Sequence, residues 1–339
     1  MSTQNNKARS GRMRRAMLAA GGSVLAAAAL SAPAVAAPHH QADGSPSARS
    51  HYMFRTLDDQ ADPTFNQLLG INDHGLIAGY FGSGLDALHP NKGYLLHPNY
   101  HQQDFMNDNF PQSVQTQVTG LNNIGTKVGF YVDGNNNQIG FFQKGTSYTK
   151  VMDPNSLPLA TSPSGTPSVN QLLGVNDHDV AVGFYTDAGN LNHGYTYNVD
   201  SGTFKEITVP NLPTGSSVTA SAINDYDTVV GFVALPGGTT ESWLQTADGK
   251  TRFLMFPDST STSALGISNR GEVVGVYTDM MDNMHGFTWT AKNGFRSVDD
   301  PNGIGTTTIN GVNDRGQLVG FYVDGKKNTD GFLATPSSR

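Results

Sequence analysis

Most of the chain alternates between apolar and polar residues with a period of two. From Phe54 onward, short runs rich in Val, Ile, Phe and Tyr are separated by Gly, Asn, Asp and Pro. Such alternation places successive side chains on opposite faces of an extended strand, and the separating residues are those of tight turns. No stretch after Leu30 has the spacing of an amphipathic helix. The pattern predicts an all-β fold.

One motif recurs six times along this β-rich region, and it is complete in residues 69–80 and 310–321. The copies start 44 to 54 residues apart. They are aligned by an Asn and a Gly seven residues apart: Asn72 and Gly79, Asn122 and Gly129, Asn176 and Gly183, Asn224 and Gly231, Ser268 and Gly275, Asn313 and Gly320. A unit of this size cannot bury its apolar face alone, so the six units must stack on one another.

Each repeat contains four short strand patterns joined by turns. The first strand ends at the aligned Asn, whose side chain is expected to close an Asx-type turn. The last position of that turn holds a residue that tolerates a left-handed backbone. These residues are Gly75, Gly125, Asp179, Asp227, Gly271 and Gly316. The aligned Gly lies in the second strand, and we expect it to allow close approach between neighbouring sheets.

Four strands per period of about 45 residues is the composition of a propeller blade. The β-region opens with a fourth-strand pattern at Phe54 and finishes just after a third-strand pattern at Gly331. A first strand that completes the last blade would use both unpaired strands. The sequence therefore predicts a six-bladed β-propeller closed by pairing of the N-terminal strand with the last blade. A β-solenoid is the alternative architecture.

The first 37 residues have the features of an export signal. Lys7 and four arginines precede the alanine-rich stretch from Ala16 to Leu30, and Ala34-Val35-Ala36 forms a cleavage site. About fifteen interrupted apolar residues are too few to span a bilayer roughly 30 Å thick, so no retained membrane anchor is expected. Arg14-Arg15 leaves both the twin-arginine and the general secretory routes open. The domains are then a signal at 1–37, a flexible linker at 38–50 and the propeller at 51–339, located in the periplasm or outside the cell.

Composition narrows the range of partners and chemistry. The chain has no cysteine, which excludes disulfides, thiolate nucleophiles and cysteine-bound zinc. Without the five basic residues of the signal, 16 basic residues face 28 acidic ones, a formal charge of −12. Nucleic acid is an unlikely partner for so acidic a surface, because binding to phosphates requires clustered positive charge. A monomer without a cofactor is expected, with calcium as the one candidate ion.

The repeats resemble a known family of bacterial extracellular proteins. Gly70 to Tyr80, together with His193-Gly194-Tyr195 and His285-Gly286-Phe287, look like the HAF repeat. The histidine element is replaced in the other four repeats, by Lys92, Ile139, Ser242 and Asp330. The resemblance covers nearly all of the chain after the linker and implies an exported repeat protein. It carries over no reaction and no catalytic residue.

Candidate binding residues lie in the loops at one mouth of the predicted ring. The loops between strands two and three and those between blades open on the same face. The first set carries Asp133, Asp187, Asp279 and Asp324, and the second carries Asp59, Asp153 and Asp300. His193 and His285 precede the third strand at equivalent positions. These residues could bind a cation or sugar hydroxyls. Alternatively, the aspartates are ordinary turn residues and the repeated histidines are structural.

Two functions of different classes follow from this arrangement. The first is a non-catalytic exported protein that binds a glycan, a cell-envelope component or a protein partner at the mouth. Its predicted ligand-binding residues are Asp133, Asp187, Asp279, Asp324, His193 and His285. The second is a hydrolase or lyase acting on extracellular carbohydrate or ester, with a metal or paired carboxylates at the channel mouth. Known catalytic motifs such as Gly-x-Ser-x-Gly are absent from the sequence after the signal.

Overall fold

A computed structural model describes residues 52–337 of the protein, so the predicted export signal and linker lie outside the described part. Its regular structure consists of 24 strands and one 3-10 helix at Gln102–Asp104. The strands form six four-stranded antiparallel sheets. The all-β prediction is confirmed. In residues 52–337 no helix has the length and apolarity required to cross a membrane.

Blades 1 to 3 are each built from four consecutive strands. Their bounds are β2 (Asn66–Ile71), β3 (Ile77–Phe81), β4 (Lys92–Leu96), β5 (Phe105–Asn107), β6 (Gln115–Leu121), β7 (Lys127–Val132), β8 (Gln138–Lys144), β9 (Ser147–Val151), β10 (Asn170–Val175), β11 (Val180–Thr186), β12 (Asn192–Asn198) and β13 (Thr203–Glu206). In each blade the first strand is innermost and the fourth is outermost.

Blades 4 and 5 repeat this order, and blade 6 combines both ends of the described chain. The bounds are β14 (Ser217–Ile223), β15 (Val229–Ala234), β16 (Thr240–Gln245), β17 (Thr251–Leu254), β18 (Ser261–Ile267), β19 (Val273–Thr278), β20 (Met284–Thr290), β21 (Gly294–Ser297), β22 (Thr307–Val312), β23 (Leu318–Val323), β24 (Thr329–Pro336) and β1 (Tyr52–Thr56). Sheet order in blade 6 is β22, β23, β24, β1.

The first strand of the described chain supplies the outer edge of the last blade. β1 runs antiparallel to β24 with Tyr52 opposite Pro336 and Thr56 opposite Phe332. The rings of Phe54 and Phe332 lie 5.4 Å apart between centroids. Blade 6 is therefore held by hydrogen bonds between segments about 280 residues apart in sequence, as expected for a ring that uses one strand from each end.

Buried apolar clusters join each blade to the next. Between blades 1 and 2, for example, Ala78 and Leu95 pack with Val118 and Phe141. A cluster of the same kind joins blade 6 to blade 1 and completes the circle, with Leu57, Val319 and Leu333 against Leu68, Ile71, Ile77, Tyr94 and Leu96. Burial between blades is the main stabilising term in such repeats. The prediction of a six-bladed β-propeller is confirmed.

The aligned Asn has a double function in the turn after each first strand. Asn72 Oδ1 accepts hydrogen bonds from the backbone N–H groups of His74 and Leu76, both at 3.0 Å. Its Nδ2 donates to the backbone carbonyl of Asn122 in the next blade at 3.1 Å. The turns end at positive φ as predicted, with 81° at Gly75. The Asn thus closes its own turn and binds the neighbouring blade.

The residues that follow the aligned Asn form a second, continuous circle around the axis. Each backbone N–H donates to the side chain of the equivalent residue one blade further on, at 2.7 or 2.8 Å. The members in ring order are Asp73, Asn123, Asp177, Asp225, Asn269 and Asp314. Six hydrogen bonds therefore form a continuous circle around one mouth of the central channel. We call the side of the molecule that carries these turns the Asn face.

The aligned glycines of the second strands are needed for a reason other than the predicted one. A Cβ on Gly79 would collide with the carbonyl oxygen of Gln67 and lie 3.0 Å from the Tyr94 ring, all within blade 1. The carbonyl is turned toward the glycine by a β-bulge between Leu68 and Gly70 in the inner strand. The prediction that these glycines allow close approach between neighbouring sheets was wrong, because their close contacts lie within one blade. Glycines at the bulges make that approach, as in Gly120, where a Cβ would lie 2.9 Å from the Leu173 carbonyl of the next blade.

Restoring the missing Asn in blade 5 should stabilise the ring. Ser268 Oγ accepts only from the Glu272 N–H, at 3.3 Å, and has no Nδ2 to donate to blade 6. Ser268→Asn adds that bond, so we expect a gain of about 1 kcal/mol in the free energy of unfolding. Urea unfolding measures it. Asn72→Ser creates the same defect in blade 1 and should cost a similar amount. If Asn72→Ser destabilises and Ser268→Asn has no effect, the bond between blades 5 and 6 does not form.

Candidate functional site

The predicted binding residues lie on the side of the ring opposite the Asn face. The four aspartates are in the hairpin loops between second and third strands, which span 133–137, 187–191, 279–283 and 324–328, and His193 and His285 lie near the start of the third strands β12 and β20. We call this side the loop face. The four loops belong to blades 2, 3, 5 and 6, so the aspartates are distributed around the ring and do not form one cluster. Sequence spacing had correctly placed them in equivalent loops.

Each of the four predicted aspartates binds the backbone of its own loop. Asp133 Oδ1 accepts from the N–H groups of Asn135 and Asn137, at 2.8 and 3.0 Å. The same pair of bonds recurs at Asp187, Asp279 and Asp324. One carboxylate oxygen therefore stabilises the turn, which agrees with the alternative that these aspartates are ordinary turn residues. The other oxygen, Oδ2, has different partners in different blades, and ligand binding by these residues stays a prediction.

In blade 3, the second oxygen of Asp187 contacts His193. Nε2 of His193 lies 3.0 Å from Asp187 Oδ2, and Nδ1 lies 3.1 Å from Glu206 on the outer strand β13. The imidazole also stacks on Tyr185, with centroids 4.9 Å apart and planes 10° from parallel. About 30% of the His193 side chain is exposed. The result is a solvent-accessible ring fixed between two carboxylates and an aromatic face.

Blade 5 repeats this arrangement with His285. Nδ1 lies 2.9 Å from Asp299 and Nε2 lies 3.4 Å from Asp279. The ring stacks on Tyr277 with centroids 5.1 Å apart. His193 and His285 also occupy the same strand register, each opposite the tyrosine on which it stacks. We call the two assemblies, His193 on Tyr185 and His285 on Tyr277 with their flanking carboxylates, the histidine platforms.

The flanking carboxylates favour the charged form of both imidazoles. Burial alone would lower the pKa of His193, but its hydrogen bonds with Asp187 and Glu206 outweigh burial and raise that pKa. For His285, the hydrogen bond with Asp299 is the main cause of a raised pKa. A raised folded-state pKa stabilises the fold below the unfolded value of about 6.5, and this contribution is lost as pH rises through the folded-state pKa.

Blade 6 has a carboxylate where blades 3 and 5 have the histidine. Asp330 lies opposite Tyr322 in the register that pairs His285 with Tyr277. Asp58, which follows the outer strand β1, accepts a hydrogen bond from the backbone N–H of Gly331, the residue next to Asp330, at 2.9 Å. Burial raises the pKa of Asp58 to about 7 against the opposing Gly331 bond, and the charges of Asp330 and Asp324 add to the rise. Negative charge is thus concentrated in blade 6 without an imidazolium to balance it.

Within residues 52–337 no group of three or more histidine and acidic side chains is arranged to hold a metal ion. The central channel is narrow, with cavities of about 90 and 80 Å³ along the axis. Its walls come from the inner strands and the Asn-face turns. The histidine platforms present carboxylate acceptors and stacked rings on the loop face.

Comparison with known proteins gives structural matches only. No family model and no curated protein sequence matches the chain. A protein of unknown function from Dyadobacter fermentans superposes with a TM-score of 0.55 at 12% identity, covering 86% of this chain and all of that one. The SapL1 lectin bound to alpha-methyl fucoside gives 0.52 at 11% identity over 81% and 94% of the two chains. The Aleuria aurantia lectin bound to Fucalpha1-6GlcNAc gives 0.50 at 9% identity over 84% and 93%. At these identities the likeness shows a common propeller fold.

Sequence reasoning missed the residues that complete the histidine platforms. Glu206 and Asp299 lie 13 and 14 residues beyond their histidines, on or just after the outer strand. Their alignment depends on the pairing of the third and fourth strands, which in blade 3 puts Tyr195 opposite Glu206. The one available signal was an acidic residue that follows a strand-four aromatic in both blades. Asp58 follows Phe54 in the same way.

Removing the charge of Asp58 should stabilise the protein at high pH. The folded state keeps this proton up to about pH 7, whereas the unfolded chain loses it near 4, so stability falls as pH rises through that window. Asp58→Asn keeps the acceptor for Gly331 and removes the charge. We expect a gain of order 1 to 4 kcal/mol at pH 8 and little change at pH 4, measured by urea unfolding. The exposed Asp282→Asn is the control. A variant equal to wild type at pH 8 would contradict the raised pKa.

Proposed function

We propose that this protein is an exported, non-catalytic propeller that binds a glycan through its loop face. Export to the periplasm or the cell exterior and membership of the HAF-repeat family belong to the same proposal. They rest on the leader sequence and on the repeats from Gly70 to the C-terminal copy. Cell-envelope polysaccharide is the class of partner that fits this location. Glycan binding at the loop face requires no enzymatic step.

The histidine platforms carry this proposal. A pyranose has an apolar face of C–H groups and a rim of hydroxyl donors, so it binds best to a flat ring flanked by acceptors. At His193 the ring is stacked on Tyr185, and the neighbouring carboxylates of Asp187 and Glu206 are 34% and 52% exposed. Carboxylate oxygens have spare lone pairs for sugar hydroxyls. His285 offers the same geometry two blades away.

The presence of two equivalent platforms supports a polymeric ligand. Each platform is small and partly exposed, so one site would bind weakly. Two sites on one rigid ring convert the second contact into an intramolecular event and raise the overall affinity. The structural neighbours support the same class of ligand, since SapL1 and the Aleuria aurantia lectin are described as lectins in complex with fucosides. Fucosides therefore belong among the first ligands to test.

A second candidate function has one observation in its favour. Asp58, with its pKa raised to about 7, lies near the carboxylates of Asp330 and Asp324 in blade 6. Carboxylates whose pKa values differ can serve as general acid and base in glycoside cleavage. A hydrolase or lyase at blade 6 would release reducing ends from polysaccharides and lose that activity in Asp58→Asn. Binding without turnover favours the first proposal.

Removal of both platforms should abolish most glycan binding. We expect His193→Ala with His285→Ala to weaken binding of the best polysaccharide at least about tenfold, because stacking surface and fixed carboxylates are lost together. An array of polysaccharides and fucosides identifies the ligand for residues 38–339, and calorimetry measures the affinity. The double Phe variant keeps the stacking surface and loses the charge, so it should retain more binding than the double Ala variant.

The control is a histidine on the other side of the ring. His178 lies in an Asn-face turn, and His178→Ala should bind as the wild type does. Binding by all variants is measured at one temperature, well below the lowest thermal unfolding midpoint, so that every variant is folded. Glycan binding that is unchanged in the double Ala variant would reject the platforms. Failure of the wild-type protein to retain any glycan on the array would reject the function.

A further inference from the structure

A cavity of about 210 Å³ lies between blades 3 and 4, beside the Asn-face turn of blade 4. It is away from the central channel, and Glu206 of the His193 platform forms part of its lining. Val180, Ile207 and Val229 form an apolar wall that continues the buried cluster between the two blades. Apart from Ile223 and Ala247, the rest of the lining is polar: Thr196, Lys205, Glu206, Asp227, Gln245 and Thr246. Its volume suits a single sugar ring.

The cavity exists because a position that holds a large side chain in blades 2 and 4 is Thr196 in blade 3. Thr196 lies opposite Val182, in the register where blade 2 has Phe142 and blade 4 has Leu244. Those larger side chains pack into the interfaces with the following blades. Blade 5 also has a threonine at this register, and there Tyr52 and Phe54 of the closing strand pack against the interface. Between blades 3 and 4 the gap remains and is lined in part by polar groups.

Asp227 replaces a glycine at a position of positive φ. Its φ is 53°, whereas four of the six blades have glycine at this turn position. An aspartate tolerates this conformation, and here it adds a carboxylate to the cavity lining that a glycine would not supply. Asn176 Nδ2 donates to Asp227 Oδ1 at 3.1 Å. The other carboxylate oxygen has no hydrogen-bond partner among the described residues and is available to a ligand.

Blade 3 has an aspartate at the same turn position, and its environment explains the difference. Asp179 has a φ of 57°. Its carboxylate is bound by Lys144 of blade 2 at 2.7 Å, and Lys144 also reaches Asp200 at 2.7 Å. Phe142 fills the adjacent interface and packs near Tyr197 with ring centroids 6.3 Å apart. The equivalent space between blades 2 and 3 is therefore already occupied by the protein's own side chains.

Lys205 is the positively charged residue of the cavity lining. The equivalent residue of blade 4 has an aromatic partner that Lys205 lacks. The equivalent outer-strand residue of blade 4, Arg252, lies over the Trp289 ring of blade 5 at 5.0 Å. Gln245 occupies the register of Trp289 in blade 4, so Lys205 has no aromatic ring to contact. No carboxylate among residues 52–337 forms an ion pair with it, and Glu206 is hydrogen-bonded to His193. Lys205 thus forms no ion pair with Asp227 or Glu206, the two carboxylates of the cavity lining, and its ammonium group is available to an anionic group of a ligand.

We propose that this cavity is a second binding site, specific for an acidic sugar residue of the hexuronate class. The sugar carboxylate pairs with Lys205, a ring hydroxyl donates to Asp227, and the C–H face packs on Val180, Ile207 and Val229. The site goes beyond the function proposed above, because it lies beside the Asn-face turn of blade 4 and shares only Glu206 with the histidine platforms. It would let the protein distinguish acidic from neutral chains.

Methyl β-glucuronide and methyl β-glucoside are the probes, and they differ only in the carboxylate. We expect residues 38–339 to bind the glucuronide with a Kd of about 1 mM or tighter and the glucoside at least about tenfold more weakly. Titration followed by NMR or calorimetry measures both. Lys205→Met keeps the stem of the side chain and removes the charge. This variant should bind the two glycosides equally, at the level of the glucoside.

Three further variants use residues that the repeats already contain. Thr196→Leu inserts the side chain of blade 4, fills the cavity and should abolish binding while leaving the fold as stable or more so. Asp227→Gly restores the residue of four other blades, relieves the positive φ and should weaken binding at least about tenfold. Asp179→Gly is the matched control in the filled interface, and it should leave binding unchanged.

The outcomes separate this site from the loop-face function. Glucuronide binding that persists unchanged in Thr196→Leu, or that shows no preference over the glucoside, would reject the cavity site. So would the absence of glucuronide binding up to about 10 mM, roughly tenfold above the expected Kd. In those cases polysaccharide binding lost in the double histidine variant still supports the platforms. Loss of the glucuronide in Thr196→Leu with unaltered platform binding supports both.

Discussion

The structure depends on the side-chain amide of the aligned Asn, which binds both its own turn and the next blade. In five blades, the aligned Asn satisfies the backbone of its own turn with Oδ1 and donates from Nδ2 to the next blade, as Asn122 does to the Asn176 carbonyl at 2.8 Å. Turn geometry and blade-to-blade distance are therefore fixed by the same group. An Asp could close the turn but could not donate, and a Ser could not reach the next blade. This explains why loops vary in length while the Asn-to-Gly core keeps its register.

Much of the fold could be read from the sequence because it is carried by local residues. Gly125 and Asp179 were predicted to end their turns at positive φ and have values of 96° and 57°. The blade count followed from the repeat alone. The reason for the aligned glycines was not accessible, because it depends on a β-bulge that turns the Gln67 carbonyl toward Gly79. A bulge is a property of paired strands and leaves little trace in one strand.

The candidate sites were harder to predict than the fold, because each combines residues from several strands. The sequence placed His193 and His285 at equivalent positions, but the only sign of Glu206 and Asp299 as partners was an acidic residue after the aromatic residue of the fourth strand. The cavity between blades 3 and 4 requires Thr196, Lys205, Asp227 and Gln245 together, each of which looks unremarkable alone. Functional specificity in a repeat protein is expected where blades depart from their common pattern. Here these departures become visible only when the blades are compared in register.

The pairing of β1 with β24 also decides how the ring is presented to its surroundings. Tyr52 lies opposite Pro336, and the Pro336 ring is close to Gly316 in an Asn-face turn. Both ends of the described chain therefore leave the molecule from the rim of that face. If residues ahead of Tyr52 tie the ring to a larger structure, the histidine platforms point outward from the attachment. The cavity beside Asp227 then faces inward, toward whatever holds the chain, so the two surfaces would meet different environments.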